Sequence, residues 1–259
     1  MSTEPMVSPT QLRDAYRRVQ ERIQRAAERS ELGRRQVLMV AVTKNATPDQ
    51  IRLLVEMGHR DLGENRVQQL AQRVPQIEEF LSRKRVLAGA SSKPAQEPVQ
   101  QVRWHMIGHL QRNKVKQVVP LVNLIHSVDS LRLAEELHQF AARTDRVVDI
   151  LIQVNASGEP TKSGVVPPAV IHLAEQIDTM VHLRLRGLMT MAPYSENPED
   201  ARPTFARTAE IFHELCSSKV GGSDCNILSM GMSGDFEVAI EEGANLVRIG
   251  RALFGEASP

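Results

Sequence analysis

Lys44 closes the segment Gln36-Val-Leu-Met-Val-Ala-Val-Thr-Lys44, in which Val37 to Val42 are apolar without a break. An amine is a nucleophile only when neutral. With an ordinary pKa near ~10.4, about one lysine in a few thousand is neutral at pH 7. Burial disfavours the charge and lowers that pKa by up to ~3–5 units, which lets the amine condense with an aldehyde. The competing reading is a lysine that lays its stem along apolar surface and keeps its head in water. Two distant segments bear on the choice. Ser229-Met-Gly-Met-Ser-Gly234 and Arg248-Ile-Gly-Arg251 combine hydroxyls, cations and glycines. Glycine lets backbone amides approach a phosphate, and a helix start adds partial positive charge. Tight turns, with Arg248 in a surface ion pair, are the plainer alternative.

These residues act together only if one fold brings them to one place. Val37–Val42 reads as a strand buried on both faces, as in parallel sheets. Thr47, Pro48 and Asp49 then read as N-cap, first position and first turn of a helix over Asp49–Met57. The alternation repeats. Further strands are expected at His59–Asn65, Arg103–Gly108, Val122–Val128, Val147–Val154, His182–Met191, Asn226–Met230 and Asn245–Ile249. Helices are expected at Arg66–Glu79, Gln111–Val119, Leu131–Arg143, Pro167–Met180, Asp200–Ser218 and Phe236–Glu242. Residues 82–102 lack a period and read mostly as a flexible loop. An amphipathic helix from Gln11 to about Arg29 precedes the first strand, and residues 1–10 read as disordered. Eight alternating units specify a parallel (β/α)8 TIM barrel, one domain over 11–259 with an extra N-terminal helix.

In such a barrel ligand groups gather at the carboxyl ends of the strands, and phosphate sits by the loops after strands seven and eight. That rim is expected to carry Lys44, Glu64, Asn65, His105, Gly108, Asp129, Asn155 and Met189. It also carries Ser229, Met232 and Ser233 in one loop, and Arg248 and Gly250 at another. A nucleophilic amine beside a phosphate cradle describes a site for a phosphorylated aldehyde, with pyridoxal phosphate the obvious candidate. A phosphosugar enzyme with a catalytic lysine has the same site chemistry. His105, following Trp104 in an apolar strand, reads as a hydrogen-bonded core or rim histidine rather than a general base. Lys162 reads as a solvated loop cation.

Composition narrows the field. Lys+Arg 32 against Asp+Glu 31 leaves a net charge of +1, with no excess to attract nucleic acid or a membrane surface. Aromatics at 3% leave few stacking platforms for single strands. Cys216 and Cys225 have no partners at ligand spacing, so no metal site is expected and a reducing compartment fits. The first residues show no signal pattern, and no run approaches membrane-spanning length. A cytoplasmic monomer is expected.

Ala41-Val-Thr-Lys44, Gly63-Glu-Asn-Arg-Val-Gln68, Trp104-His-Met-Ile-Gly108 with Leu110-Gln111 and Asn113-Lys114, Lys162-Ser-Gly164, Arg186-Gly-Leu-Met189, Ser229-Met-Gly-Met-Ser233 and Val247-Arg-Ile-Gly250 with Phe254-Gly255 span almost the whole chain in order. By these motifs the sequence resembles the pyridoxal-phosphate homeostasis protein family, single-domain relatives of the alanine racemase barrel. The resemblance implies a fold like the alanine racemase N-terminal domain and a Schiff base between Lys44 and pyridoxal 5'-phosphate. It places cofactor contacts on Asn65, His105, Met189, Ser229, Met232, Ser233, Arg248 and Gly250, with Arg248 on either the pyridine nitrogen or the phosphate. It further implies buffering of the cofactor or delivery to pyridoxal-phosphate-dependent apoenzymes, without turnover.

The sequence departs from the family pattern in three places. His109 stands where many relatives have proline or aspartate, Arg251 where some have threonine or serine, and the 82–102 segment is longer. The alternative function is a cofactor-dependent amino-acid racemase, which needs acid/base groups on both faces of the substrate carbon. Racemase relatives bring a tyrosine from an added domain. Here residues 251–259 are all that follow Gly250, and the tyrosines are Tyr16 and Tyr194. A carrier with no catalytic residues is therefore expected.

Overall fold

The computed structural model describes residues 7–30, 36–89, 101–159 and 163–255. Its strands are β1 (Leu38–Val42), β2 (Asp61–Glu64), β3 (Arg103–Met106), β4 (Leu124–Val128), β5 (Val148–Val154), β6 (Leu183–Thr190), β7 (Ile227–Ser229) and β8 (Leu246–Ile249). All pair in parallel, in sequence order, and β8 closes the barrel on β1. The helices are α1 (Pro9–Arg29), α2 (Pro48–Glu56), α3 (Val67–Gly89), α4 (Val115–Val118), α5 (Leu131–Arg143), α6 (Val170–Asp178), α7 (Arg202–Ser217), α8 (Phe236–Glu241) and α9 (Arg251–Phe254). Fold class and order of units are those read from the sequence. No helix among the described residues is long and apolar enough to cross a membrane.

Two of the boundaries that differ have a clear physical cause. α1 starts at Pro9 because Ser8 and Gln11 form a capping box: Ser8 Oγ accepts the Gln11 amide at 3.3 Å, and Gln11 Oε1 accepts the Ser8 amide at 2.8 Å. The expected disorder thus stops short of residue 8; residues 1–6 lie outside the described ones. α3 continues past Glu79 to Gly89, so the first part of 82–102 is helical. Leu70, Val74, Ile77 and Leu81 are buried at three- and four-residue spacing, which carries one apolar face through the expected end. Residues 90–100 lie outside the described ones. The N-cap at Thr47, with Pro48 at the first position of α2, is as expected, and Gln50 completes a capping box there.

The core has two shells. The larger lies between strands and helices, and there α1 buries Leu12, Ala15, Val19, Ile23, Ala26 and Ala27. Arg22 on α1 also pairs with Glu237 of α8 at 2.7 Å. The smaller shell fills the barrel: Leu38, Val40, Leu124, Leu151, Met189, Ile227 and Leu246 pack together. Side chains alternate along a strand, so His126, Ser229 and Arg248 share the inward face with Leu124, Ile227 and Leu246. Gly63 makes room among them, since a Cβ there would lie 2.8 Å from Val40 Cγ1.

Candidate functional site

β1 and β8 pair with Ala41 opposite Ile249, so the turns leaving these strands lie side by side. A Cβ on Gly250 would stand 3.2 Å from Val42 O and 3.3 Å from Val42 Cβ, and glycine permits that approach. Lys44 stands two residues beyond β1 and is exposed. The enclosure expected from its strand is therefore not supplied by protein packing.

The turn bearing Lys44 is nevertheless pinned. Arg73 on α3 donates to the carbonyl oxygens of Thr43 and Ala46, the latter at 2.9 Å, and pairs with the fully buried Glu64 carboxylate. Thr43 Oγ1 lies against the same carboxylate. Glu64 was expected at the rim. Arg73 was not, because an arginine on a helix reads as part of a solvated face; the buried acid at the end of β2 was the available signal.

Across the β1–β8 seam, Ser233 Oγ accepts the amides of Gly250 at 3.3 Å and Ala252 at 3.1 Å. With both lone pairs engaged, its hydroxyl proton remains to be donated. Asp235 Oδ1 accepts the Met232 amide at 2.6 Å and closes the loop after β7. Burial pushes the Asp235 carboxyl up, against the pull of that amide and of Arg248. Met232 is 38% exposed at the surface of this loop.

Arg248 lies inside the mouth, 4% exposed, and makes no surface ion pair. Its guanidinium donates to Ser229 Oγ at 2.6 Å and to the Thr190 carbonyl at 2.8 Å. Burial lowers its pKa to about 10, with Asp235 opposing. The Ser229 hydroxyl is thereby directed inward, between Arg248 and His126, rather than toward the phosphate turns.

His105 also departs from the expected rim. It is 3% exposed and sits between His126 at 3.0 Å and Asp61 at 3.2 Å. Asp61 begins β2, so the His105 ring faces the opposite end of the barrel. Its core-histidine reading holds. Met189 is fully buried in the apolar layer beneath the mouth.

Asn65 stands one residue past β2, with its Oδ1 buried and unpartnered among the described residues. Gly108 allows this arrangement, since a Cβ there would run into the Asn65 backbone. His109 and Asp129, named separately from sequence, meet at 3.3 Å beyond β3 and β4. Lys162 lies outside the described residues. Cys216 and Cys225 are free, their thiols pushed up by burial, and no cluster of metal-binding side chains occurs among the described residues.

The molecule is thus a closed barrel whose carboxyl rim sets one amine beside two glycine-bearing turns, the arrangement that suits a phosphorylated ligand. The chain belongs to the alanine racemase N-terminal domain family, whose pattern matches residues 15–258, and within it to the pyridoxal phosphate homeostasis proteins. It is 42% identical over 243 residues to the pyridoxal phosphate homeostasis protein of Aquifex aeolicus, across 92% of this chain and 95% of that one. The Homo sapiens protein of that description is 32% identical over 250 residues, with coverages of 93% and 85%. PipY of Synechococcus elongatus, solved with PLP bound, has a TM-score of 0.76 at 27% identity, over 95% of this chain and 100% of that one. An alanine racemase of Clostridium difficile, at 13% identity and a TM-score of 0.68 over 100% of this chain and 61% of that one, shares the fold.

Proposed function

We propose that this chain holds pyridoxal 5'-phosphate at its carboxyl rim, as a Schiff base on Lys44, and buffers it or delivers it to apoenzymes without turning over a substrate. The observation that carries this reading is the close approach of Gly250 to Val42 across the β1–β8 seam, which sets the turn bearing Lys44 next to the turn after β8. An amine and a glycine-bearing turn on adjacent strands suit a compact ligand bearing both an aldehyde and a phosphate. The names of the relatives and the bound cofactor in PipY support it.

The residues present fit the group. Lys44 would supply the amine that condenses with the aldehyde, with loss of water. Ser233 offers a hydroxyl proton and Gly250 close backbone approach to the phosphate. Arg248, buried inside the line of those turns, would face the ring. Asn65 brings a carboxamide whose oxygen is buried without a partner among the described residues. When bound, the cofactor supplies the transferable aldehyde, and the protein supplies its grip.

Borohydride reduction of the loaded protein followed by peptide mapping tests the assignment. The pyridoxyl group is expected on Lys44. Consistent labelling elsewhere, with Lys44 unmodified, would sink it.

Turnover is the second reading, and one observation favours it. The His109–Asp129 pair sits just beyond β3 and β4, with the His109 side chain 57% exposed. A racemase would need such a group facing the substrate carbon opposite Lys44.

A further inference from the structure

Behind Arg248 a single file of polar groups crosses the barrel. Arg248 Nη1 is 2.6 Å from Ser229 Oγ, which is 3.0 Å from His126 Nδ1. His126 Nε2 is 3.0 Å from His105 Nδ1, and His105 Nε2 is 3.2 Å from Asp61 Oδ1. Arg103 grips Asp61 with both arms, at 2.7 and 2.5 Å. Arg103 and Asp61 begin their strands, whereas Ser229 ends β7 and Arg248 is next to last in β8. The file therefore runs from the end of the barrel opposite Lys44 to the floor of the mouth. Except for Arg103, every side chain in it is buried.

With both imidazoles neutral, its two ends dictate its direction. A guanidinium can only donate, and an ionised carboxylate can only accept. His105 must then carry its proton on Nε2, toward Asp61, leaving Nδ1 as an acceptor. His126 must in turn carry its proton on Nε2, and its Nδ1 accepts from the Ser229 hydroxyl. Ser229 Oγ accepts from Arg248. With both imidazoles neutral every link is satisfied, and each bond donates toward Asp61.

The surroundings agree. Burial above all holds His126 well below the ordinary histidine value, and so neutral. His59 Nε2 meets the Asp61 carbonyl at 2.8 Å, Tyr16 OH lies 3.4 Å from His59 Nδ1, and Asp235 is the acid that acts on Arg248.

We propose that Asp61, His105 and His126 are positioning residues for the cofactor site, orienting the Ser229 hydroxyl and through it the Arg248 guanidinium. Asp61 thus controls, from the far end of the barrel, the donor that faces the mouth. The part of this that concerns ligand grip rests on the pyridoxal-phosphate reading above; the orientation of the file does not.

The test separates the two. In ligand-free protein with ¹⁵N-labelled histidine, His105 and His126 are both expected as Nε2–H tautomers near pH 7, with assignments from His105→Gln and His126→Gln. Asp61→Asn replaces a pure acceptor with a carboxamide that also donates. It is expected to shift the tautomer balance of both rings, including His126, which it does not touch. The same variant is expected to weaken pyridoxal phosphate binding about tenfold, as loss of one well-aimed charged donor does.

Either ring found as Nδ1–H in the wild type would overturn the proposal. So would Asp61→Asn leaving His126 unchanged, or leaving affinity unchanged while both tautomers shift. Should Asp61→Asn not fold, His105→Leu removes the link between Asp61 and His126: it is expected to shift the His126 tautomer balance and weaken pyridoxal phosphate binding about tenfold, and either signal left unchanged would overturn the proposal. A wild-type protein that binds no pyridoxal phosphate but shows the expected tautomers would sink the function and leave the orientation standing.

Discussion

Ser233 and Arg248 are near neighbours at the mouth but address different parts of a ligand. Ser233 joins the turns after β7 and β8 and keeps a proton to donate, so Ser233→Ala is expected to weaken pyridoxal phosphate about ten- to a hundredfold. Pyridoxal, which lacks the phosphate, should lose little. Titrating both ligands against the variant decides this, and equal losses would move the phosphate elsewhere. Arg248→Ala should weaken both ligands, because its guanidinium lies on the inner side of the cradle. Lys44→Ala should abolish borohydride-fixed cofactor while leaving a weaker, washable population held by the turns.

Asp61 gives a pH signature at the same scale. Burial alone would raise its carboxyl, but His105 and Arg103 hold it at about 2, below the ordinary 3.8. A carboxylate whose folded value is depressed stabilises the fold above its unfolded value. That contribution is lost as pH falls from about 4 toward 2. Near pH 6 it is worth about 2 kcal/mol. Urea unfolding of wild type and Asp61→Asn should show that gap at pH 6 and a smaller one at pH 3. A gap independent of pH would remove the ion pair as its cause.

At the scale of elements, α3 reaches into the site through Arg73. Its guanidinium holds two carbonyls of the Lys44 turn and neutralises the buried Glu64. Removing one partner of a buried pair leaves a bare charge, so Arg73→Ala is expected to cost about 3–5 kcal/mol. Arg73→Lys should recover part of this, since a point charge cannot serve three acceptors in a fixed fork. Denaturant unfolding measures the loss. Slower reductive fixation of the cofactor on Lys44 in the surviving folded protein would show the turn has loosened. α1 acts differently, as a cover: Leu12 is fully buried against the outer shell. Leu12→Ala should cost about 2–5 kcal/mol with no change in cofactor affinity of folded protein.

At the scale of the molecule, the barrel divides its labour between an apolar half-filling and a polar file that supports the mouth. Turnover would need a second acid/base group on the far face of the bound carbon, and such a group contributes about 10²–10⁴-fold. His105 is engaged within the file, and Tyr194 is 82% exposed on the loop after β6. Loaded protein incubated with L- and D-amino acids is therefore expected to show negligible inversion or loss of the α-hydrogen. Sustained inversion at enzymatic rates, abolished by Lys44→Ala and by His109→Ala, would make the protein an enzyme and the His109–Asp129 pair its second group.

The alternation of units, the Lys44 strand, the Thr47 cap and the glycine turns after β7 and β8 are all local properties. Apolar runs, caps and glycines act over a few residues, so the sequence by itself determined the barrel and the place of its rim. What crosses the barrel is not local. His105 and His126 are 21 residues apart, and His126 and Ser229 are 103 apart. Each polar residue of the file sits in an apolar strand as though incidental. Closure of β8 on β1 decided that these side chains share one interior. It placed His105 behind the mouth rather than on it, turned the Ser229 hydroxyl inward and aimed Arg248 at the floor. Closure likewise brought Arg73 over the Lys44 turn. A strand's inward face is known only once the sheet has curved shut, and the partner of an inward polar group lies wherever that curvature delivers it.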